Sequence, residues 1–475
     1  MSKSYQLPSP SACLAYISDV NSDTNENSDN NKFILNKKTF IASCDAIIDG
    51  NSNNNNLNCV NTIVYYDSDK LSEFNKKLEQ EQDNVQPNIP NDLNYNLFRS
   101  LIITGSGENA QYVCFSPPHM ERVEYNNSSH FESGSEPILQ EYIDGTMINV
   151  FYDIASDPPK WEIATRRVIG GRNSFTDLGG VTPIKTFREL FDDCCIQTNL
   201  NLNCLDKNKC YSFVMQHPDN RIIHKVYKPL LYLIGEYEFE HRSDLSVIVK
   251  SNDIYHTSVT KTFIGTHVRF PRKFISDYHI ILQELLLSTF ETKGVIDMKH
   301  GNNLSVKYRN PNYEKVQQIK GNQSKLLYHY LELCTSPQAS SKISEFIRYF
   351  PEYKTTFIEY SRRVKTLINC IYTTYLDCYI NRKFHLKDAD ERYKTLVYVL
   401  HTEVYLPKLR SKNKRINKRE VTKFVQALPC AKLMYYLNRL IEPVDFVLDN
   451  HPCVTPIVSP ISQDVIEISL LEEEK

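Results

Sequence analysis

Residues 138–171, ILQEYIDGTMINVFYDIASDPPKWEIATRRVIGG, decide the fold. Two runs rich in β-branched and aromatic side chains, 142–152 and 161–168, flank a loop holding Pro158 and Pro159. That pattern predicts a pair of antiparallel strands. Asp144-Gly145-Thr146 sets a turn-forming pair near the start of the first run.

Outward from this hairpin, residues 98–320 keep the same character. The segment 99–118, RSLIITGSGENAQYVCFSPP, predicts a hairpin turning at Gly105 and Gly107. Two more strands are expected around HPDNR within 210–239, and two around Gly301-Asn302-Asn303 within 294–310. Leu282, Leu285, Leu286 and Phe290 recur at helical steps and predict a helix over 270–292. Nearer the N-terminus, short strands are expected at 38–43 and 61–69 and a helix at 72–82. The tracts NSDTNENSDNN (21–31) and NSNNNNLN (51–58) are too polar to offset ordering entropy and read as flexible loops.

After residue 320 the period changes. Phe357, Tyr360, Val364, Leu367, Ile368, Ile371 and Tyr375 mark one face of a long helix. Further helices are expected at 325–334, 341–350, 389–406, 417–428 and 430–440, and no glycine follows Gly321. The expected organisation is an Asn-rich, partly flexible segment (1–60), a strand-rich domain (61–320), an α-helical domain (321–445) and an acidic tail (446–475). The fold class is α+β.

Composition narrows the function classes little. The chain of 475 residues has a formal net charge of −2, so no global field points to nucleic acid. Its 13 cysteines are scattered, and the start MSKSYQLPSPSACLAY lacks the basic and apolar regions of a secretory signal. Free thiols in a reducing, intracellular compartment are the expectation. The local cluster Cys194, Cys195, Cys204 and Cys210 lacks the paired spacing of zinc sites, and burial is its simpler reading. No apolar run reaches the ~20 residues of a membrane span, so no membrane partner is expected. Charge is local instead: KLRSKNKRINKREVTK (408–423) carries eight basic residues beside a single Glu. Lys408, Arg410, Lys412, Lys414, Arg415, Lys418, Arg419 and Lys423 form a footprint suited to RNA phosphates, or else a solvated surface.

The order of these islands resembles the covalent nucleotidyltransferases, in particular RNA ligases of the phage RNA ligase 1 type. FRSLIIT, with Arg99, matches the arginine and short strand that precede the site in that family. FSPPHM puts His119 where a lysine is expected. EYIDGTMINVF resembles the Lys-x-Asp-Gly hairpin, with Asp144 and Gly145 in place, and WEIATRR, with Arg166, resembles the strand that follows. FVMQHPDNRII matches at Pro218, Asn220, Arg221 and Ile222. KGVIDM and LSVKYRNPNYEKV resemble the last two motifs, with Lys307 and Arg309 in the Lys-x-Lys place.

The resemblance implies an antiparallel-sheet nucleotidyltransferase domain (an ATP-grasp-like ligase fold) followed by an α-helical domain. It implies ATP and Mg as cofactors, with RNA or nucleotide as partner. Together with the Asn-rich composition, the joined pattern looks like proteins of large DNA viruses of eukaryotes, which implies host cytoplasm or virion.

The chain departs from the family where the chemistry is covalent. Tyr142 occupies the position of the nucleophilic lysine, and no lysine lies between Lys77 and Lys160. Val214 and Lys293 stand where the family has carboxylates that hold metal, so no metal ligand is assigned. The expected binding set is Arg99, His119, Asp144, Gly145, Arg166, Arg221, Lys307 and Arg309. Each has a plainer reading: Asp144-Gly145 as a turn, Arg221 as a turn cap, Lys307 and Arg309 as a solvated edge. Three functions remain open. One is a degenerate ligase that binds nucleotide or RNA phosphates without a lysyl-adenylate. Another is an active ligase with an unconventional nucleophile or a pre-adenylated substrate. The third is an interaction protein that keeps only the scaffold.

Overall fold

A computed structural model describes residues 2–22, 35–41, 60–66, 94–123, 138–175, 184–243, 245–275, 278–298, 305–336 and 338–440. The Asn-rich tracts (apart from residues 21 and 22), the 72–82 helix, the Gly301-Asn302-Asn303 turn and the acidic tail lie outside the described residues. The chain divides into two compact units, 1–174 with 185–317, and 175–184 with 318–475.

The first unit is built on three sheets. The largest has the order β1 (Lys3–Leu7), β12 (Val247–Ser251), β11 (Leu230–His241), β10 (Lys209–Gln216), β8 (Thr146–Asp153) and β9 (Lys160–Ala164). Every neighbouring pair in it is antiparallel. A second sheet, β2 (Leu35–Ile41), β3 (Val60–Tyr66), β4 (Leu101–Thr104) and β5 (Gln111–Phe115), contains the hairpin expected around Gly105 and Gly107. The third orders β6 (Glu121–Arg122), β14 (Val306–Arg309), β13 (Gly294–Asp297) and β7 (Leu139–Glu141).

The large sheet is buried on both faces. Ile148, Val150, Phe213, Leu231 and Leu233 pack under the helix Phe187–Thr198, through Leu190, Phe191 and Cys194. This helix is started by a capping box, Thr186 with Glu189, and stopped by Asn199 in the left-handed region (φ 54°). Phe151, Cys210, Tyr237 and Val249 face the other way, against Ile63, Leu101 and Phe115 of the second sheet. A bulge makes this possible: Ser212 pairs with Gly235 but Phe213 pairs with Leu233. The extra residue, Ile234, reverses the alternation along β11, so Leu233 and Tyr237 reach opposite faces.

The hairpin at the centre differs from its sequence reading. The run 142–152 becomes strand only at Thr146: β7 ends before it in the third sheet, β8 lies in the large one, and residues 142–145 cross between them. The second run ends at Ala164, where the Thr165 N–H turns back to the Val168 carbonyl at 2.9 Å. The 270–292 helix is shorter, Tyr278–Leu287, and packs on the third sheet through Ile281, Leu282 and Leu285.

Among the described residues the second unit is helical: Leu326–Thr335, Ala339–Tyr349, Lys354–Tyr375, Lys394–Val399, Lys418–Gln426 and Cys430–Arg439. Phe357, Tyr360, Leu367, Ile368, Ile371 and Tyr375 are buried, as the period of the long helix predicts. The helix expected at 389–406 starts later and widens to a π-helix over Leu400–Leu409. Pro407 inside it has no N–H to give, which breaks the regular ladder. No helix among the described residues is long and apolar enough to cross a membrane.

Candidate nucleotide site

The crossing at 142–145 is held by backbone and by Asp144. The Tyr142 N–H donates to the Gly294 carbonyl at 3.0 Å, and the Glu141 N–H to the Arg272 carbonyl at 2.8 Å. Asp144, only 6% exposed, accepts from the Ile223 and His224 N–H groups, both at 2.9 Å, and from the Tyr313 hydroxyl at 2.7 Å. Burial and this carboxylate together push the Tyr313 phenol upward, so it stays a donor. Gly145 is required where it stands. Its φ is 154°, and an added Cβ would meet the Met215 carbonyl oxygen at 2.5 Å and Val214 Cγ1 at 2.6 Å. Asp144-Gly145 is thus a structural joint that ties three chain segments together beside Tyr142, which lines a cleft.

That cleft lies between the large and third sheets of the first unit and holds ≈1260 Å³ of empty space, part of it open solvent. Its apolar floor includes Ile143, Met147, Val214, Ile234, Tyr237 and Ile296, and cations rim it. The Lys293 ammonium sits 4.1 Å from the centre of the Tyr142 ring, and the Arg309 guanidinium 5.9 Å from it. Burial would raise the Tyr142 phenol, but Lys293, then Lys307, Arg99 and Arg309, outweigh it and hold it down to about 7. Lys307 responds in turn: burial lowers its ammonium, Tyr142 raises it, and Arg309, Arg99 and Lys293 lower it further.

Most of these cations are also fastened to the protein. Lys293 donates to the Ile143 carbonyl at 3.3 Å and lies 3.9 Å from Asp144. Lys307 donates to the Met120 carbonyl at 2.7 Å, and Arg309 to Gln317 Oε1 at 2.8 Å. Arg99, half-buried at the cleft, makes no hydrogen bond or ion pair among the described residues.

The remaining sequence candidates spread out from this centre. His119 sits edge-on to Tyr66 with ring centres 5.6 Å apart. Burial, with Lys307, Arg99 and Arg166, lowers its imidazole to about 4, so it is neutral at pH 7 and adds no charge where a lysine was expected. Arg166 stacks on Tyr66 at 4.5 Å and donates to the Tyr66 carbonyl at 3.1 Å. Arg221 donates to the Ile223 carbonyl at 2.9 Å, the turn-capping role that is its plainer reading. The neighbouring Asn220 reaches Thr146 Oγ1 at 2.9 Å. In the second unit, all eight basic side chains of 408–423 are exposed, around buried Leu409, Ile416 and Val421.

Three lysines lining the cleft were not among the candidates: Lys3, Lys293 and Lys273, the last lying over the Tyr255 ring at 3.8 Å. Lys293 is visible in sequence only as a departure from the family's carboxylate. Lys3, on β1, carries no motif; its ammonium is lowered to about 8 by burial, with Asp297 opposing, and it donates to Ser305 Oγ at 3.2 Å. Among the described residues no group of three His, Cys, Asp or Glu side chains is placed to hold a metal ion. Glu141 and Asp253 are the carboxylates lining the cleft. Two carboxylates suit magnesium only when phosphate oxygens and water complete its shell.

No family model and no curated protein matches the chain. Solved structures of ligases do. A candidate ATP-dependent DNA ligase from Aquifex aeolicus is 11% identical with a TM-score of 0.29, covering 64% of this chain and 81% of its own. An archaeal ATP-dependent RNA ligase, form 1, is 9% identical with a TM-score of 0.35, covering 64% of this chain and 74% of its own. Form 2 of an archaeal ATP-dependent RNA ligase gives 12%, 0.33, 56% and 70%. Superpositions this partial do not fix a shared fold. The chemistry of the cleft has to carry the functional reading.

Proposed function

We propose that the cleft binds a nucleoside triphosphate or the phosphorylated end of an RNA, in a ligase-like protein that forms no lysyl-nucleotide at position 142. The observation that carries this reading is the convergence of Arg99, Lys293, Lys307 and Arg309 on Tyr142 beside an apolar floor. An apolar slot with a few convergent polar groups is the usual form of a small-ligand site. Here the polar groups are cations, which suit phosphate. The floor gives a base somewhere to stack, and Arg99 keeps its donors unspent. The exposed stretch 408–423 would add sequence-independent contacts to RNA phosphates.

Equilibrium dialysis of the full chain against ATP, GTP and 5′-phosphorylated RNA tests this. Binding of any of them, weakened by Arg99→Ala, supports the reading. Absence of binding to all three leaves an interaction protein that keeps only the scaffold.

A further inference from the structure

Four cations meet at Tyr142, and the two carboxylates nearest them, Asp144 at 3.9 Å from Lys293 and Glu314 beside Arg309, also hold other donors. Both Asp144 oxygens hold protein donors, and Glu314 pairs with Arg122 at 2.9 Å and lies 4.0 Å from Arg309. The Tyr142 hydroxyl makes no hydrogen bond among the described residues, although its ring lines the cleft. The rival nucleophiles are the amines of Lys293, Lys307, Lys3 and Lys273; the first three donate to protein oxygens, and Lys273 lies 3.8 Å from Asp253.

We propose that Tyr142 is itself a nucleophile: its phenolate oxygen accepts the nucleotidyl group of a nucleoside triphosphate bound in the cleft, giving a tyrosyl-O-nucleotide. This rests on the nucleotide-binding reading above. The phenol first loses its proton to solvent, which the surrounding cations make possible near neutral pH. The oxygen–phosphorus bond then forms as the α-phosphorus loses its bridging oxygen, and pyrophosphate leaves with that electron pair. Negative charge moves from the phenolate to the pyrophosphate, and Arg99, Lys307 and Arg309 are the cations that face it. The product is a phosphodiester of tyrosine, chemically distinct from the phosphoramidate a lysine would give.

The test incubates the full chain with α-labelled ATP or GTP and magnesium, then separates it on a denaturing gel. Parallel dialysis measures nucleotide binding. The expected result is a label that survives acid, maps by mass spectrometry to the Tyr142 peptide, and rises with pH through about 7 as the phenolate forms. Tyr142→Phe should abolish it while still binding nucleotide. Because the wild-type adduct is mapped directly, the result stands even if that variant fails to fold. An acid-labile label on Lys293, Lys307, Lys3 or Lys273 would overturn the proposal, as would a label that persists in Tyr142→Phe. Binding without label overturns it and leaves the binding reading intact; neither binding nor label removes both.

Discussion

The cations around Tyr142 and those of residues 408–423 are both basic clusters, but they are held in different ways. In the cleft, Lys307 and Arg309 come from β14 and Lys293 from the residue just before its partner β13, and all three are fixed by carbonyl and amide oxygens at 2.7–3.3 Å. In 408–423 the eight charges stand in solvent, and Lys423 pairs with Glu420 at 3.7 Å on one helix face. Few, half-buried and oriented charges create a local field strong enough to move a phenol from its ordinary ~10 to about 7. Many exposed charges, screened within about 8 Å at physiological salt, act by number. The first arrangement suits recognition of one phosphate group, and the second suits holding a polyanion.

The largest effect should come from breaking what aims the first cluster. Asp144→Ala removes three hydrogen bonds and the carboxylate 3.9 Å from Lys293. An uncompensated buried ammonium and orphaned donors are expected to cost about 3–5 kcal/mol, read from denaturant unfolding. Glu420→Ala, the matching change in the exposed cluster, should cost under ~1 kcal/mol. Equal costs would show that the cleft's charges are no better fixed than the surface ones.

Arg99→Ala comes next. Its guanidinium has no partner among the described residues, so its loss should barely change stability while weakening ATP or phosphorylated-RNA binding in the cleft by about 10-fold or more, about 1.5–3 kcal/mol for a hydrogen bond to a charged group. A variant that unfolds instead would mark Arg99 as structural.

How far the sequence showed this follows from the range of the interactions involved. The helices of the second unit were legible because their signal is local: Phe357, Tyr360, Leu367 and Ile371 mark their face within one segment. The Thr186–Glu189 capping box is an equally local mark of the helix after it, yet that helix was absent from the expected elements. The crossing at 142–145 was half legible: Asp144-Gly145-Thr146 read as a turn near the start of the run, but nothing local said that β7 and β8 belong to different sheets. Lys293 and Lys3 lie 151 and 139 residues of chain from Tyr142, on opposite sides, and their approach is decided by strand order. Arg99, Lys307 and Arg309 were found by motif, yet nothing in a motif says that Asp144 would be spent on Ile223, His224 and Tyr313.

The phenol gives a pH signature that the exposed cluster cannot. The Tyr142 phenol, held down to about 7, becomes an anion as pH rises through that value. The phenolate then repels an incoming phosphate, so nucleotide affinity in the wild type should fall from pH 6 to pH 8. At the screened limit of ~1 kcal/mol for neighbouring charges, the drop is about 5-fold. Tyr142→Phe removes the titration and should keep its affinity across the window, apart from the nucleotide's own ionisation, which both proteins share. The ultraviolet absorbance of the phenolate, as a difference between the two proteins, should show the same midpoint. If the difference titrates near 10 instead, the cations do not act on Tyr142 as their positions require.

Single substitutions in 408–423 should give the smallest effects, and their form matters more than their size. A lysine that contacts a backbone phosphate releases about one counterion, so each one lost lowers the slope of log affinity against log salt by ~0.7 on single-stranded RNA. Lys412→Ala or Lys414→Ala should therefore weaken RNA binding modestly at low salt and almost not at all at high salt. The loss should be the same for every RNA sequence, because such contacts read no bases. ATP binding in the cleft should be unchanged. Substitutions that leave the slope intact would make the stretch an ordinary solvated surface, and the cleft alone would then have to account for any RNA the protein holds.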